Sequence, residues 1–148
     1  MNIKEFAEKY KIKNEKKIVN WIDRGILPGA YKLDDGEYYI SEYSKPPYTS
    51  ARAKNCTAIY VSIVKACEKR KSVCAKLYKL NEDEFNLYIG QLVEKNIIEK
   101  KIYDNCNFYY ATPNSKLFLD DRKYRNKVLH QVSTTLLSSV VTVVLNKT

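Results

Sequence analysis

Twice along this chain an asparagine able to cap a helix is followed by apolar residues at helical spacing, and then by two alternating segments hinged on a tight-turn pair. The first pass runs from Asn14 through Ile18, Trp21 and Ile22 to Asp35-Gly36, and the second from Asn81 through Phe85, Tyr88, Ile89, Leu92 and Val93 to Asp104-Asn105. A period near 3.6 puts the apolar residues on one side of a helix, whereas a period of two puts alternate residues on one face of a strand. A chain that switches twice from the first period to the second is expected to be mainly α with small β hairpins.

Within the first pass, Asn2 is placed to cap a helix and Glu5 stands three residues on, as in a capping box. Ile3, Phe6, Ala7 and Tyr10 form its apolar stripe. A short basic turn, "KIK", leads to the second cap at Asn14. Gly25 then supplies a left-handed stop, with Ile26 able to fold back on Trp21. "YKLDDGEYYI" reads as a hairpin around Asp35-Gly36, and "SKPPY" as a stiff exit that sets a domain boundary at Pro46-Pro47. Helix, turn, helix and two-stranded wing is the order of a winged helix-turn-helix. Residues 1–48, with "IKEFAEKYKIKNEKKIVNWIDRGILPG", a hairpin and "YIS", resemble the DNA-binding module of the bacterial and phage excisionase and MerR-like families. The likeness rests on Ala7, the Trp21-Ile22 pair, Gly25 and Pro28; Lys13-Asn14 replaces the small residue and Ser or Thr usual at the turn. It implies a helix laid in a DNA groove.

From Thr49 a second unit is expected, residues 49–121. A helix from about Thr57 to Lys71 would place Ile59, Ile63, Ala66 and Cys67 on one face, with Val73, Ala75, Leu77 and Leu80 in a shorter helix behind it. Asn81 and Glu84 box the start of a third helix, and the hairpin turns near Asp104-Asn105. "LVEKNIIEKKIYDNCNFYYAT" resembles the helix-to-wing passage of many bacterial winged-helix regulators, so two tandem winged units are expected. Residues 122–148 have a basic head and then 18 uncharged residues, Val128 to Leu145. As a C-terminal helix they would align Leu129, Val132, Leu136, Val140 and Val143 on one side. That face suits a homo-oligomer, as in DNA readers that bind two half-sites, although packing back on its own domain would use the same residues.

Charge narrows the function. The net formal charge is +9, and it is zoned: 9 basic and 8 acidic groups in residues 1–48, 7 and 1 in 49–76, 5 and 8 in 77–121, and 5 and 0 in 122–148. Such a chain favours acidic surfaces, nucleic acid or an anionic membrane, over acidic proteins as partners. Lys16, Lys17 and Asn20 fall away from the Ile18, Trp21 and Ile22 stripe, where a reading helix needs donors for base edges; the alternative is a merely solvated face. Lys13, Asn14, Arg24 and Lys32 are candidates for the DNA backbone, and Arg52, Lys54, Lys69, Arg70 and Lys71 for flanking contacts. In the second unit Glu82, Asp83 and Glu84 would repel phosphate, which makes it a docking or spacing module with Phe85, Tyr88 and Ile89 in its core. Tyr38-Tyr39 and Tyr109-Tyr110 could stack on unpaired bases or simply cover a small core.

Catalysis has little material: one histidine, no Gly-rich phosphate loop, and acids at helix starts and turns where capping explains them. The chain is read as not an enzyme, with no cofactor. Cys56, Cys67, Cys74 and Cys106 match neither a disulfide framework nor, with His130, a zinc site, so buried free thiols in a reducing compartment are expected. The start "MNIKEFAEKY" carries acids and lacks the apolar run of a signal peptide, and eight polar residues in the tail make membrane spanning poor, so a cytoplasmic location is expected. A sequence-specific double-stranded DNA-binding protein, regulatory or architectural in a mobile element, is the leading expectation. The alternative is a protein-interaction adaptor whose basic tail meets a membrane or an acidic partner.

Overall fold

The computed structural model describes residues 1–51 and 53–131. The order is α1 (Ile3–Lys9), α2 (Glu15–Asp23), β1 (Ala30–Lys32), β2 (Tyr38–Ile40), α3 (Cys56–Glu68), a 3-10 turn (Ala75–Tyr78), α4 (Glu82–Glu94), β3 (Ile98–Tyr103), β4 (Cys106–Ala111) and α5 (Pro113–Asp120). A further helix, α6, occupies residues 122–131. The described residues are therefore largely helical with two separate antiparallel two-stranded sheets.

Local chemistry sets the helix ends. Asn2 and Asn81 each accept the backbone N–H three residues on while Glu5 and Glu84 accept the N–H of the cap, closing both capping boxes. Asn14 accepts the Lys16 N–H, and Asn55 that of Ala58 at the start of α3. Each α-helix from α1 to α4 stops on a left-handed residue: Lys11, Gly25, Arg70 and Asn96. At Gly25 the two bonds of the stop are complete, with the Gly25 N–H donating to Ile22 at 3.0 Å and the Ile26 N–H to Trp21 at 3.0 Å.

Two cores form. Phe6, Ala7, Ile18, Trp21, Ile22, Ile26, Leu27 and Ile40 make the first, from α1, α2 and the first hairpin. The second gathers Tyr60, Ile63 and Val64 of α3, Phe85, Tyr88, Ile89 and Leu92 of α4, Ile98 and Tyr109 of the hairpin, and Phe118 of α5. The Ile18, Trp21 and Ile22 stripe expected on α2 is buried, as are Phe85, Tyr88, Ile89 and Leu92 of the α4 stripe, while Val93 is half-buried.

Several expectations are corrected. The shorter helix behind α3 is a single 3-10 turn, because Ser72 is tied to the preceding linker and Asn81 already caps α4, which leaves too few residues for an α-helix. The first hairpin turns through Asp34, Asp35 and Gly36 rather than a two-residue pair: the Leu33 N–H donates to the Glu37 carbonyl at 2.7 Å, with Gly36 at φ +91°. In the second hairpin Asp104 and Asn105 sit at φ +52° and +60°, a two-residue turn as expected. Helix α5 adds to the expected elements: Thr112 caps it, Pro113 opens it and the Ser115 hydroxyl accepts the Thr112 N–H. Its Phe118 is fully buried in the second core.

The tail begins against the chain's own core: Val128 and Leu129 of α6 are buried in the second cluster. Leu129 is therefore a packing residue of its own chain rather than part of a free oligomer face. Val132, Leu136, Val140 and Val143 lie outside the described residues, as does Arg52. All four cysteines are free, but only Cys67 is buried; Cys56 is exposed, its sulfur accepting the Tyr88 hydroxyl at 3.1 Å.

Pro46-Pro47 is a stiff segment but no open linker. Pro47 bridges Ser72 in parallel, the Ser72 N–H donates to Pro46 at 2.9 Å, and the Tyr48 N–H donates to Ser72 at 2.9 Å. Pairing on both sides removes the backbone freedom that a hinge needs.

Candidate nucleic-acid interface

Helix α2 buries one side and shows the other. Ile18, Trp21 and Ile22 enter the first core, so at 100° per residue Lys16, Lys17 and Asn20 are left exposed. Lys17 lies along its own helix, with Nζ 5.5 Å from the centroid of the Trp21 ring. That contact steadies the ammonium without neutralising it. Lys13 and Asn14 are exposed at the entry to α2, where the Asn14 carboxamide oxygen is engaged as the cap.

The first hairpin stands beside this helix. Lys32 is exposed with Nζ 5.7 Å from the Tyr38 ring, and the Tyr38 hydroxyl donates to Asp23 Oδ1 at 3.3 Å, which joins the hairpin to the last turn of α2. Arg24 is exposed at the helix end, and its carbonyl accepts Lys76 Nζ from the second unit at 3.3 Å. The seven sequence-predicted residues Lys13, Asn14, Lys16, Lys17, Asn20, Arg24 and Lys32 thus all belong to one helix and the turn and hairpin that flank it. Glu15 and Asp23 are also exposed there, so the surface is basic but not uniformly so. Glu15 stabilises the helix start through the dipole and opposes an approaching phosphate.

The flanking candidates do not form one patch. Lys54 precedes α3, while Lys69, Arg70 and Lys71 follow it, and a 13-residue helix separates its ends by about 20 Å. Lys69 Nζ lies 5.7 Å from the Tyr48 ring, and Arg70 is the left-handed stop of α3.

The second hairpin is used differently from the first. Its register pairs Lys101 with Phe108, Tyr103 with Cys106 and Glu99 with Tyr110, so these six side chains share one face. Phe108 from that face sits against Gly29, Tyr103 stacks on Tyr43 with centroids 3.9 Å apart, and Tyr110 meets Lys45. From the opposite face Tyr109 meets Phe85 at 6.1 Å and Ile98 is buried. At the tip, Ser41 Oγ donates to Asp104 Oδ2 at 2.8 Å. The hairpin is a wedge, one face on the second core and the other against Gly29, Tyr43 and Lys45 of the first unit. Tyr109 is a core residue, not a stacking platform.

Sequence reasoning passed over Lys45, which is buried in the exit segment, and Lys100 and Lys101, which are exposed on β3. No local signal marked Lys45, because its partners are 64 and 65 residues away. Lys100 and Lys101 stood openly in "EKKIY".

No protein-family model matches the chain, and no curated protein matches it. Among the described residues, no helix is long and apolar enough to cross a membrane.

Proposed function

We propose that this protein binds double-stranded DNA sequence-specifically, with α2 as the reading helix of an excisionase/MerR-like winged helix-turn-helix and the second unit, built on the same helix-to-hairpin plan, as a spacing and docking module. One observation supports this most: α2 is anchored by Ile18, Trp21 and Ile22 and leaves Lys16, Lys17 and Asn20 solvent-exposed beside a hairpin carrying Lys32. A groove-reading helix needs that combination of a fixed back and free donors at its N-terminal half. In this reading Asn20 pairs with adenine, a bidentate contact worth about 1–3 kcal/mol of discrimination, while Lys16 and Lys17 meet guanine or phosphate. Lys13, Asn14, Arg24 and Lys32 hold the DNA backbone. The activity is binding without chemistry, and no cofactor takes part.

The second reading is a protein-interaction adaptor. It is favoured by the outward side of α4, where Glu82, Asp83 and Glu94 accompany exposed Leu87 and an open Gly90, a surface suited to protein rather than phosphate. The two readings assign different faces. Fluorescence anisotropy with a random duplex and with DNA flanking the protein's own gene, across a salt series, tests the first: preference for the native DNA and a steep log-salt slope are expected. Absence of binding to either duplex at low salt would hand the function to the α4 face.

A further inference from the structure

Between the two cores lies a cleft of about 560 Å³, walled by Tyr10 and Lys45 from the first unit and by Cys67, Glu68, Arg70 and Tyr110 from the second. Lys45 is the residue that demands an explanation. It is 9% exposed, its ammonium donates to the Tyr109 carbonyl at 2.6 Å, and it lies 4.1 Å from the Tyr110 ring centroid. An ammonium has three donors, and one carbonyl satisfies one of them. No carboxylate among the described residues pairs with it, although Glu68 lines the same cleft. Burial without a counter-ion disfavours the charged form, and the Lys45 pKa is lowered accordingly by desolvation.

Glu68, exposed at the rim, opposes an anion, and two further cations near the cleft offset it. Lys101 Nζ approaches the same Tyr110 ring at 5.2 Å, and Arg70 is exposed at the rim. Tyr10 closes the other side, its hydroxyl spent on the Ser44 carbonyl at 2.9 Å, so it offers a ring face. A buried donor with unused capacity, a guanidinium near the mouth and two aromatic walls are what an oxyanion on a small organic body requires.

We infer that this cleft binds a small free oxyanion ligand, a phosphate- or carboxylate-bearing metabolite, with Lys45 and Arg70 holding the anion and Tyr10 and Tyr110 flanking its body. The volume exceeds that of a bare phosphate and suits a mononucleotide or an aromatic acid. Because the walls come from both units, occupancy favours the junction as it stands and thereby the placement of α2 relative to the second unit. The site does not depend on α2 reading DNA.

The test is an amide NMR titration of the full chain with sodium phosphate and with sodium acetate, ionic strength held constant with chloride. Saturable shifts at Lys45, Arg70 and Tyr110 are expected from at least one probe. Lys45→Met should weaken binding by about 10-fold or more, the scale of a lost hydrogen bond to a charged group. If Lys45→Met does not fold, Arg70→Gly serves, because glycine keeps the left-handed stop at φ +55° while removing the guanidinium. Lys16→Ala with Lys17→Ala and Asn20→Ala should leave the titration unchanged, which separates this site from the DNA surface. Unsaturable shifts spread over surface lysines, or equal responses in wild type and Arg70→Gly, would overturn the inference. So would cleft shifts produced by a 20-base-pair duplex and by neither free anion, which would give Lys45 to a DNA phosphate instead.

Discussion

The two hairpins are built alike and spent differently. The first is short, with Tyr31 54% exposed and Gly36 open to solvent at its tip, and only Ile40 of its strands is fully buried. The second has both faces occupied, Tyr109 in its own core and Phe108 against Gly29 of the other unit. The helices in front of them differ in the same sense: α2 shows Lys16, Lys17 and Asn20, and α4 shows Glu82, Asp83 and Glu94. The difference teaches that a repeated local plan does not repeat a role. A hairpin with free faces can contact DNA; a hairpin packed between two units fixes their geometry and, through Tyr110, walls the cleft between them.

The sharpest way to break the comparison is to cut equivalent side chains from the two hairpins. Phe108→Ala should cost about 3–5 kcal/mol in urea unfolding, as for a buried aromatic, whereas Tyr31→Ala should change stability by no more than about 0.5 kcal/mol. Equal costs would show that the wedge carries no special weight. Next come the glycines. A Cβ on Gly29, at φ +84°, would meet Ser44 Oγ at 2.6 Å and Phe108 Cζ at 2.9 Å, while one on Gly36 would meet nothing within 4 Å. Gly29→Ala should therefore cost about 2–4 kcal/mol, adding overpacking to backbone strain, and Gly36→Ala about 1–2 kcal/mol from strain alone.

Alkaline pH separates the cores by their buried acids. Burial pushes the Cys67 thiol from 9.0 up to about 12 and the Tyr109 phenol from 10.0 up to about 12. Both groups are in the second core. A raised folded-state pKa gives stability that is whole below the ordinary value and lost as pH climbs through the folded one. The urea midpoint should hold up to about pH 9 and then fall, with Cys67→Ala making the first part of the fall shallower without abolishing it, because burial also pushes up the Cys74 and Cys106 thiols. A midpoint flat to pH 11 would contradict the burial of both groups. The smallest effect is on α4: Gly90 is helical with open space around it, so Gly90→Ala should raise stability by about 0.5–1 kcal/mol. Loss of stability there would mean that the exposed face of α4 is already covered.

What could be read from the residues was what neighbours along the chain decide. The Asn2, Asn14 and Asn81 caps, the Gly25 stop and the Asp104-Asn105 turn involve partners within a few positions, and each forms where it was expected. Helix α5 is equally local, but a Thr-Pro pair after alternating residues signals the end of a strand as readily as the start of a helix. The wedge and the Lys45 cleft were out of reach for a different reason. Tyr43 stacking on Tyr103, Ser41 bonding Asp104 and Lys45 reaching Tyr109 join residues about sixty apart, and no periodicity encodes such pairs. The candidate DNA surface was legible because amphipathicity on one helix is a local property; the spread of Lys54 and Lys69 to opposite ends of α3 follows from the length of that helix.

The central claim, that α2 and not charge in general engages DNA, is tested most directly by comparing two triple variants in the same anisotropy salt series. One is Lys16→Ala, Lys17→Ala, Asn20→Ala; the other removes the exposed Lys116, Lys123 and Lys127. With about one unit of log-salt slope per lysine–phosphate contact, the first should lose native-site preference and up to about two units of slope. The second should keep the preference. Equal losses in both variants, or none in the first, would contradict the assignment of α2 as the reading helix.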